Sequence, residues 1–152
     1  MALTTFGAVM GFAAEMAEKD EEIYNTLVPK AIDPGVRGVL EALSEEQKRN
    51  YSLMVKTRRE NVTEMILEPV TGLRPEDYEI DLKVPGPAED ASILKAALRI
   101  EEREKRFFED ASSRIPLPEV GRIFRRVARK KEENLKKLQG LGLNQTLGDQ
   151  RR

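Results

Sequence analysis

Slid against itself by 84 positions, the chain registers its two halves without a gap, Phe12–Met54 falling on Ala96–Leu138. Identities are few: Ala13/Ala97, Glu18/Glu102, Pro34/Pro118, Val36/Val120 and Asn50/Asn134. The pattern repeats better than the letters. Ile23-Tyr24 meets Phe107-Phe108, and Leu40, Leu43 and Met54 meet Phe124, Val127 and Leu138. Such self-similarity reads as one supersecondary unit written twice. In each unit, apolar residues at three-and-four spacing flank a proline break, the pattern of an amphipathic helical hairpin. Neither hairpin can bury its apolar stripe alone, so the pair constrains the chain to an all-α four-helix bundle.

The expected helices span about 5–28, 34–68, 89–113 and 118–139. Asp33 caps the second, and Pro34 suits its first turn, where no N–H donor is needed. That helix carries Val36, Val39, Leu40, Leu43, Gln47, Asn50, Met54, Val62 and Met65 on one face. Between helices two and three runs "PVTGLRPEDYEIDLKVPGPAED", with a crossover expected at about 69–88 and a short extended piece at "YEIDLKV". So long a connection is what two bundle helices of like direction require. The bundle domain is expected over 1–141, with a flexible tail at 142–152 that has little to bury.

Composition then narrows the chemistry. The 152 residues include no cysteine and no histidine, and the formal net charge is -1. Thiol catalysis, zinc ribbons, disulfides and histidine general bases are excluded together. No run of 18 apolar residues suggests a membrane partner, and the N-terminus reads as an amphipathic helix rather than a signal, so a cytoplasmic location is expected. The fourth helix is locally basic (Arg122, Arg125, Arg126, Arg129, Lys130, Lys131, Lys136, Lys137) and the first acidic (Glu15, Glu18, Asp20, Glu21, Glu22). Only Phe124 is interleaved with the basic run, and it belongs to the core stripe, which argues against a nucleic-acid surface. Complementary helices, within the bundle or across a dimer, explain both runs better. The apolar first turn (Leu3, Phe6, Val9, Met10) is expected to extend into a homodimer interface.

With "LRIEEREKRFFEDA", Leu98 to Ala111, as its best-matched piece, the chain up to about Leu141 resembles the ferritin-like, rubrerythrin-type four-helix bundles. The resemblance implies a di-metal centre drawing one glutamate and one Glu-x-x-His from each half. Carried over position by position, those ligands fall at Ala17, Gln47 and Asn50 in the first half and at Glu101, Lys131 and Asn134 in the second. Only Glu101 keeps its residue type. Opposed carboxylates in a bundle core repel one another unless cations neutralise them, so loss of metal demands loss of negative charge. The replacements answer that demand. They lead to an expected ion pair between Lys131 and Glu101 in the space the metals would occupy, supported by the amides of Gln47, Asn50 and Asn134.

Asp20 and Glu104 lie one turn further along the same stripes and are expected to reach the bundle edge or join the Lys131 network. The alternative is a weak, all-oxygen site for iron or another divalent metal, built from Asp20, Glu46, Glu101 and Glu104. The favoured function is therefore that of a non-catalytic scaffold or binding protein without cofactor, for an unknown protein partner. Its competitor is a rubrerythrin-type oxidase, peroxidase or iron-handling protein on a non-standard carboxylate site. A third reading is a small-ligand pocket opened where the metals would be.

Overall fold

The structure, a computed structural model, describes residues 2–65, 69–82 and 89–150, with side chains described for these except at 62–65 and 144–150. It is an all-α four-helix bundle of two hairpins. The first pairs α1 (Phe6–Leu27) with α2 (Pro34–Met65), and the second pairs α3 (Asp90–Arg114) with α4 (Pro118–Gln150). Short 3-10 turns at Val28–Lys30 and Pro75–Tyr78 complete the regular structure among the described residues.

Local chemistry sets the helix ends. Thr5 is extended and its Oγ1 accepts from Ala8 N at 3.0 Å, satisfying one of the donors left open at the start of α1. At α2 the Asp33 carboxylate accepts from Gly35 N at 3.2 Å, ahead of Pro34. Asp90, opening α3, accepts from the backbone N–H groups of Ile32 and Asp33 at 2.9 and 2.8 Å, which ties the first hairpin's turn to the second hairpin. The last helix runs past the expected boundary at 139, through Gly140 and Gly142 to Gln150. Neither glycine has a positive φ. A helical glycine costs about 1 kcal/mol relative to alanine, too little by itself to end a helix.

Cross-helix contacts fix the arrangement. Phe12 of α1 meets Phe107 of α3, while Asp20 and Tyr24 meet Arg103 and Glu101, so the residue numbers run in opposite senses and α1 and α3 are antiparallel neighbours. Lys131 and Asn134 of α4 reach Glu46 of α2. Hence α1 lies diagonally across from α4, and α2 and α3 point the same way, as the long connection requires. That connection is fastened down. Val70 N donates to Thr4 O at 2.9 Å, and buried Tyr78 donates to Asp110 at 2.6 Å. The Arg106 guanidinium donates to Asp77 O at 2.6 Å and sits over the Tyr78 ring. Residues 79–82 of the expected extended piece have no regular structure, and Lys83 and Val84 lie outside the described residues, as do the helix end expected at 66–68 and the side chains of Val62 and Met65.

The core is divided in two. One apolar cluster holds Phe6, Met10, Met54, Phe107, Phe108 and Phe124, with edge-on ring contacts of 5.1 to 5.2 Å among the last three. The other, at the opposite end, holds Leu27, Val36, Leu40, Ile93, Ile100 and Leu138. Each such side chain contributes about 1.5–3 kcal/mol on full burial. Leu3, Phe6, Val9 and Met10, expected to reach into a dimer interface, are instead spent in the first cluster, at most 2% exposed. They are covered because the N-terminal segment folds against the start of the connection, at Val70 and Leu73.

Glycine positions give a test of this packing. A Cβ at Gly38 or Gly140 meets nothing within 4 Å, whereas one at Gly121 stands 3.1 Å from the Ser112 carbonyl oxygen, where α4 approaches α3. Gly38→Ala and Gly140→Ala should each stabilise by about 0.5–1 kcal/mol in urea unfolding. Gly121→Ala should gain less or lose stability, because backbone cannot step aside as a side chain can.

Candidate functional site

Between the two apolar clusters lies a layer of buried polar side chains contributed by all four helices: Asp20 and Tyr24 from α1, Glu46 and Gln47 from α2, Glu101 and Glu104 from α3, Lys131 and Asn134 from α4. Each sits on the inward stripe of its helix, at a position where the spacing rule would place an apolar residue.

Lys131 is the centre. It is 0% exposed, and its Nζ lies 2.7 Å from Glu46 Oε2 and 3.3 Å from both Glu101 Oε1 and Glu104 Oε2. The expected partner Glu101 is thus one of three. Asn134 Nδ2 donates to Glu46 Oε2 at 2.9 Å and to Glu101 Oε1 at 2.8 Å, and the Tyr24 hydroxyl donates to Glu101 Oε2 at 2.7 Å. Gln47 Nε2 lies 2.6 Å from Glu104 Oε2. Of the other positions carried over from the resemblance, Ala17 is buried on α1, and Asn50 is half-buried and makes none of the layer's hydrogen bonds.

Asp20 does not join Lys131. It is 1% exposed and receives Arg103 Nη2 at 2.6 and 2.7 Å, on the outer side of the layer. Arg103 also donates to Tyr78 O at 3.3 Å, so one guanidinium holds α1, α3 and the connection together. A cleft of about 270 Å³ opens outside this pair, with Phe12, Met16, Tyr78 and Ile80 among its walls. The volume expected in place of the metals is filled by the Lys131 ammonium.

The electrostatics follow from burial. Lifting charges out of water is costly, so four carboxyls facing two cations cannot all stay ionised cheaply. Burial is the largest influence on Glu104 and pushes its carboxyl up to about 8, with Asp20 and Glu101 adding to the rise against Lys131 and Gln47. Glu104 therefore keeps its proton at neutral pH. The Gln47 amide donates to Glu104 Oε2 at 2.6 Å and, like Lys131, opposes that rise without cancelling it. Burial likewise pushes Asp20 up to about 6 against the pull of Arg103. At Lys131 burial opposes the charge, but Glu101, Glu104 and Glu46 outweigh it and hold the amine above its ordinary value. At Glu46 burial is outweighed by Lys131 and Asn134, and the carboxyl sits below its ordinary value. Burial, then Glu101 and Glu104, drive the Tyr24 phenol far up, so it remains a neutral donor.

This donor set does not fit a metal centre. The all-oxygen site considered from Asp20, Glu46, Glu101 and Glu104 has an ammonium within 3.3 Å of three of its members and a guanidinium on the fourth. A divalent ion would have to displace one cation and be repelled by the other. Among the described residues, no other group of acids is disposed to hold a metal ion.

A scan against protein-family models and searches of curated proteins and of solved structures each found no match.

Sequence reasoning placed Lys131, Glu101, Gln47 and Asn134 in the centre but missed Tyr24 and Arg103. Tyr24 was readable: it stands on the inward stripe of α1 at the place Phe108 takes in the second half, and a buried phenol needs a partner. Arg103 carried no such signal, because it flanks the stripe and is drawn in by Asp20.

Two outcomes test the layer. Lys131→Met leaves the carboxyls without their ammonium and should cost about 3–5 kcal/mol in chemical unfolding. Adding Glu46→Gln to that variant should recover part of the loss. The second concerns pH. Glu104 binds its proton more tightly folded (about 8) than unfolded (4.5), so the unfolded state gains by ionising as pH rises through that window. Melting temperature should fall between pH 6 and pH 8.5, and Glu104→Gln should flatten that slope.

Proposed function

We propose that the chain is a non-catalytic relative of the ferritin-like, rubrerythrin-type bundles, in which an internal lysine supplies the positive charge that metal ions supply in that group. It acts as a scaffold or binding protein in the cytoplasm, working with further copies of itself or with another protein partner. The observation that carries this reading is the Lys131 ammonium held within 3.3 Å of Glu46, Glu101 and Glu104. A working di-iron centre needs open coordination positions and ligands that answer to the metal. Here the carboxyls already answer to Lys131, Asn134, Tyr24 and Gln47. Among the described residues no helix is long and apolar enough to cross a membrane, which agrees with a bundle that works away from the bilayer.

Elemental analysis of protein prepared without chelators tests the reading directly. The expected result is iron and manganese far below one ion per chain, with a melting temperature that chelator leaves unchanged. Stoichiometric metal that disappears in Glu101→Ala would overturn it and favour the oxidoreductase.

A further inference from the structure

Charge is segregated on the outside of the bundle as well as ordered within it. The exposed face of α4 presents Arg122, Arg125, Arg126 and Arg129, and the exposed face of α1 presents Glu15, Glu18 and Glu22. Because α1 and α4 occupy diagonal corners, these faces cannot reach each other in one molecule. Within 4 Å, among the described residues, none of these seven side chains forms an ion pair. Other charges near them are already engaged: Glu132 with Lys105, Glu133 with Lys130, and Glu21 with Lys48. Lys19 on α1 and Glu119 and Glu133 on α4 are the exposed exceptions in sign.

The two stripes also match in length. Glu15, Glu18 and Glu22 follow a three-then-four spacing, and so do Arg129, Arg126 and Arg122 read backwards. At 1.5 Å per residue each stripe covers about 10.5 Å along its helix. Beside the arginines, the groove between α3 and α4 opens a space of about 410 Å³ over Ala128, walled by Arg125 and Arg129 and by Glu109 and Glu132, whose charge Lys105 already meets. That groove gives an incoming helix some apolar surface to cover as well as charge to meet.

We propose that the arginine face of α4 docks on the glutamate face of α1 of a second copy of this chain, the two helices running antiparallel. The contact deepens the scaffold reading by naming its partner as the chain itself. Since donor and acceptor faces lie at opposite corners, the contact is heterologous, and each added copy leaves one face of each kind open. Exposed ion pairs are individually weak and screened by salt, with a Debye length of about 10 Å at 0.1 M. Assembly therefore forms at low ionic strength and high protein concentration, and extends beyond a dimer.

Sedimentation velocity across protein concentration and sodium chloride concentration tests this. The expected result is association at low salt that weakens on the order of tenfold or more as salt rises to physiological strength and above. Reversing the basic stripe (Arg122→Glu, Arg126→Glu, Arg129→Glu) should give a monomer, and so should reversing the acidic stripe (Glu15→Lys, Glu18→Lys, Glu22→Lys). Mixing the two reversed proteins should restore association, since each now carries what the other lacks. All seven side chains are exposed, and a circular-dichroism melt on each variant verifies folding. A monomer at every salt concentration would overturn the proposal, as would association that survives either reversal or that vanishes on nuclease treatment. Failure here leaves the metal analysis of the Lys131 layer untouched, so the two readings fall separately.

Discussion

A lysine with no solvent contact, 2.7 Å from one carboxylate and 3.3 Å from two others, organises the interior of this bundle. An isolated ammonium there would lose its charge, and the isolated acids would keep their protons. Together they balance one another: Lys131 keeps its charge against burial, and so does Glu46. At Glu46 burial is outweighed by the Lys131 bond at 2.7 Å and by Asn134, and the carboxyl is held below its ordinary value, whereas deeper burial, with Asp20 and Glu101 beside it, pushes Glu104 above its own. The layer is thus a graded arrangement in which a retained proton and two cations share the task of neutralisation. It lies between two apolar clusters that exclude water from either side, which is why burial weighs so heavily on its charges.

The duplication in the sequence shows how such a layer can change by paired steps. Shifted by 84, Glu101 stands where Ala17 does, and Tyr24 where Phe108 does. The buried hydrogen bond from Tyr24 to Glu101 therefore has an equivalent in which both partners are apolar. Removing one partner alone would strand a buried donor or acceptor, at a cost of about 1–3 kcal/mol. Removing both leaves nothing to satisfy. Lys131 and Gln47 form the second such pair of positions, one charged and one neutral, and both reach Glu104. The asymmetry gives one half the charge and the other half the space.

Much of the fold was legible because it rests on periodicity. Apolar spacing located all four helices, the proline breaks located both hairpin turns, and the length of the connection announced that α2 and α3 run the same way. What escaped is instructive. The end of α4 was placed at 139 because glycines suggested a stop, but a glycine stops a helix only when the backbone turns left-handed there, and neither Gly140 nor Gly142 does. The first turn of α1 looked like spare apolar surface, since a sequence does not reveal that a residue pair as remote as Thr4 and Val70 will meet. In the site, the inward stripes named Gln47, Glu101, Lys131 and Asn134, yet they did not place Glu46 beside Lys131 and could not rank that lysine's partners. Periodicity reports which way a side chain faces, while ion pairing depends on distances of a few tenths of an ångström between helices far apart in sequence.

Stability alone does not account for a charged layer, because well-packed apolar residues of similar volume would serve at least as well. Its members are distributed with one feature in common: every hydrogen bond or ion pair to Lys131, Glu101, Glu104 or Asn134 described above joins two different helices. A slide of any helix by one turn would carry its polar group into an apolar cluster and leave its former partners unmatched. Apolar stripes tolerate such slides, since one leucine fits nearly as well as the next. The same logic lets one buried polar residue fix register in a coiled coil. Here it operates across four helices, and it explains why the layer sits at mid-height. From there α2, α3 and α4 are pinned near their middles and α1 nearer its C-terminal end, and the exposed charges of α1 and α4 are held at fixed heights on opposite corners of the bundle.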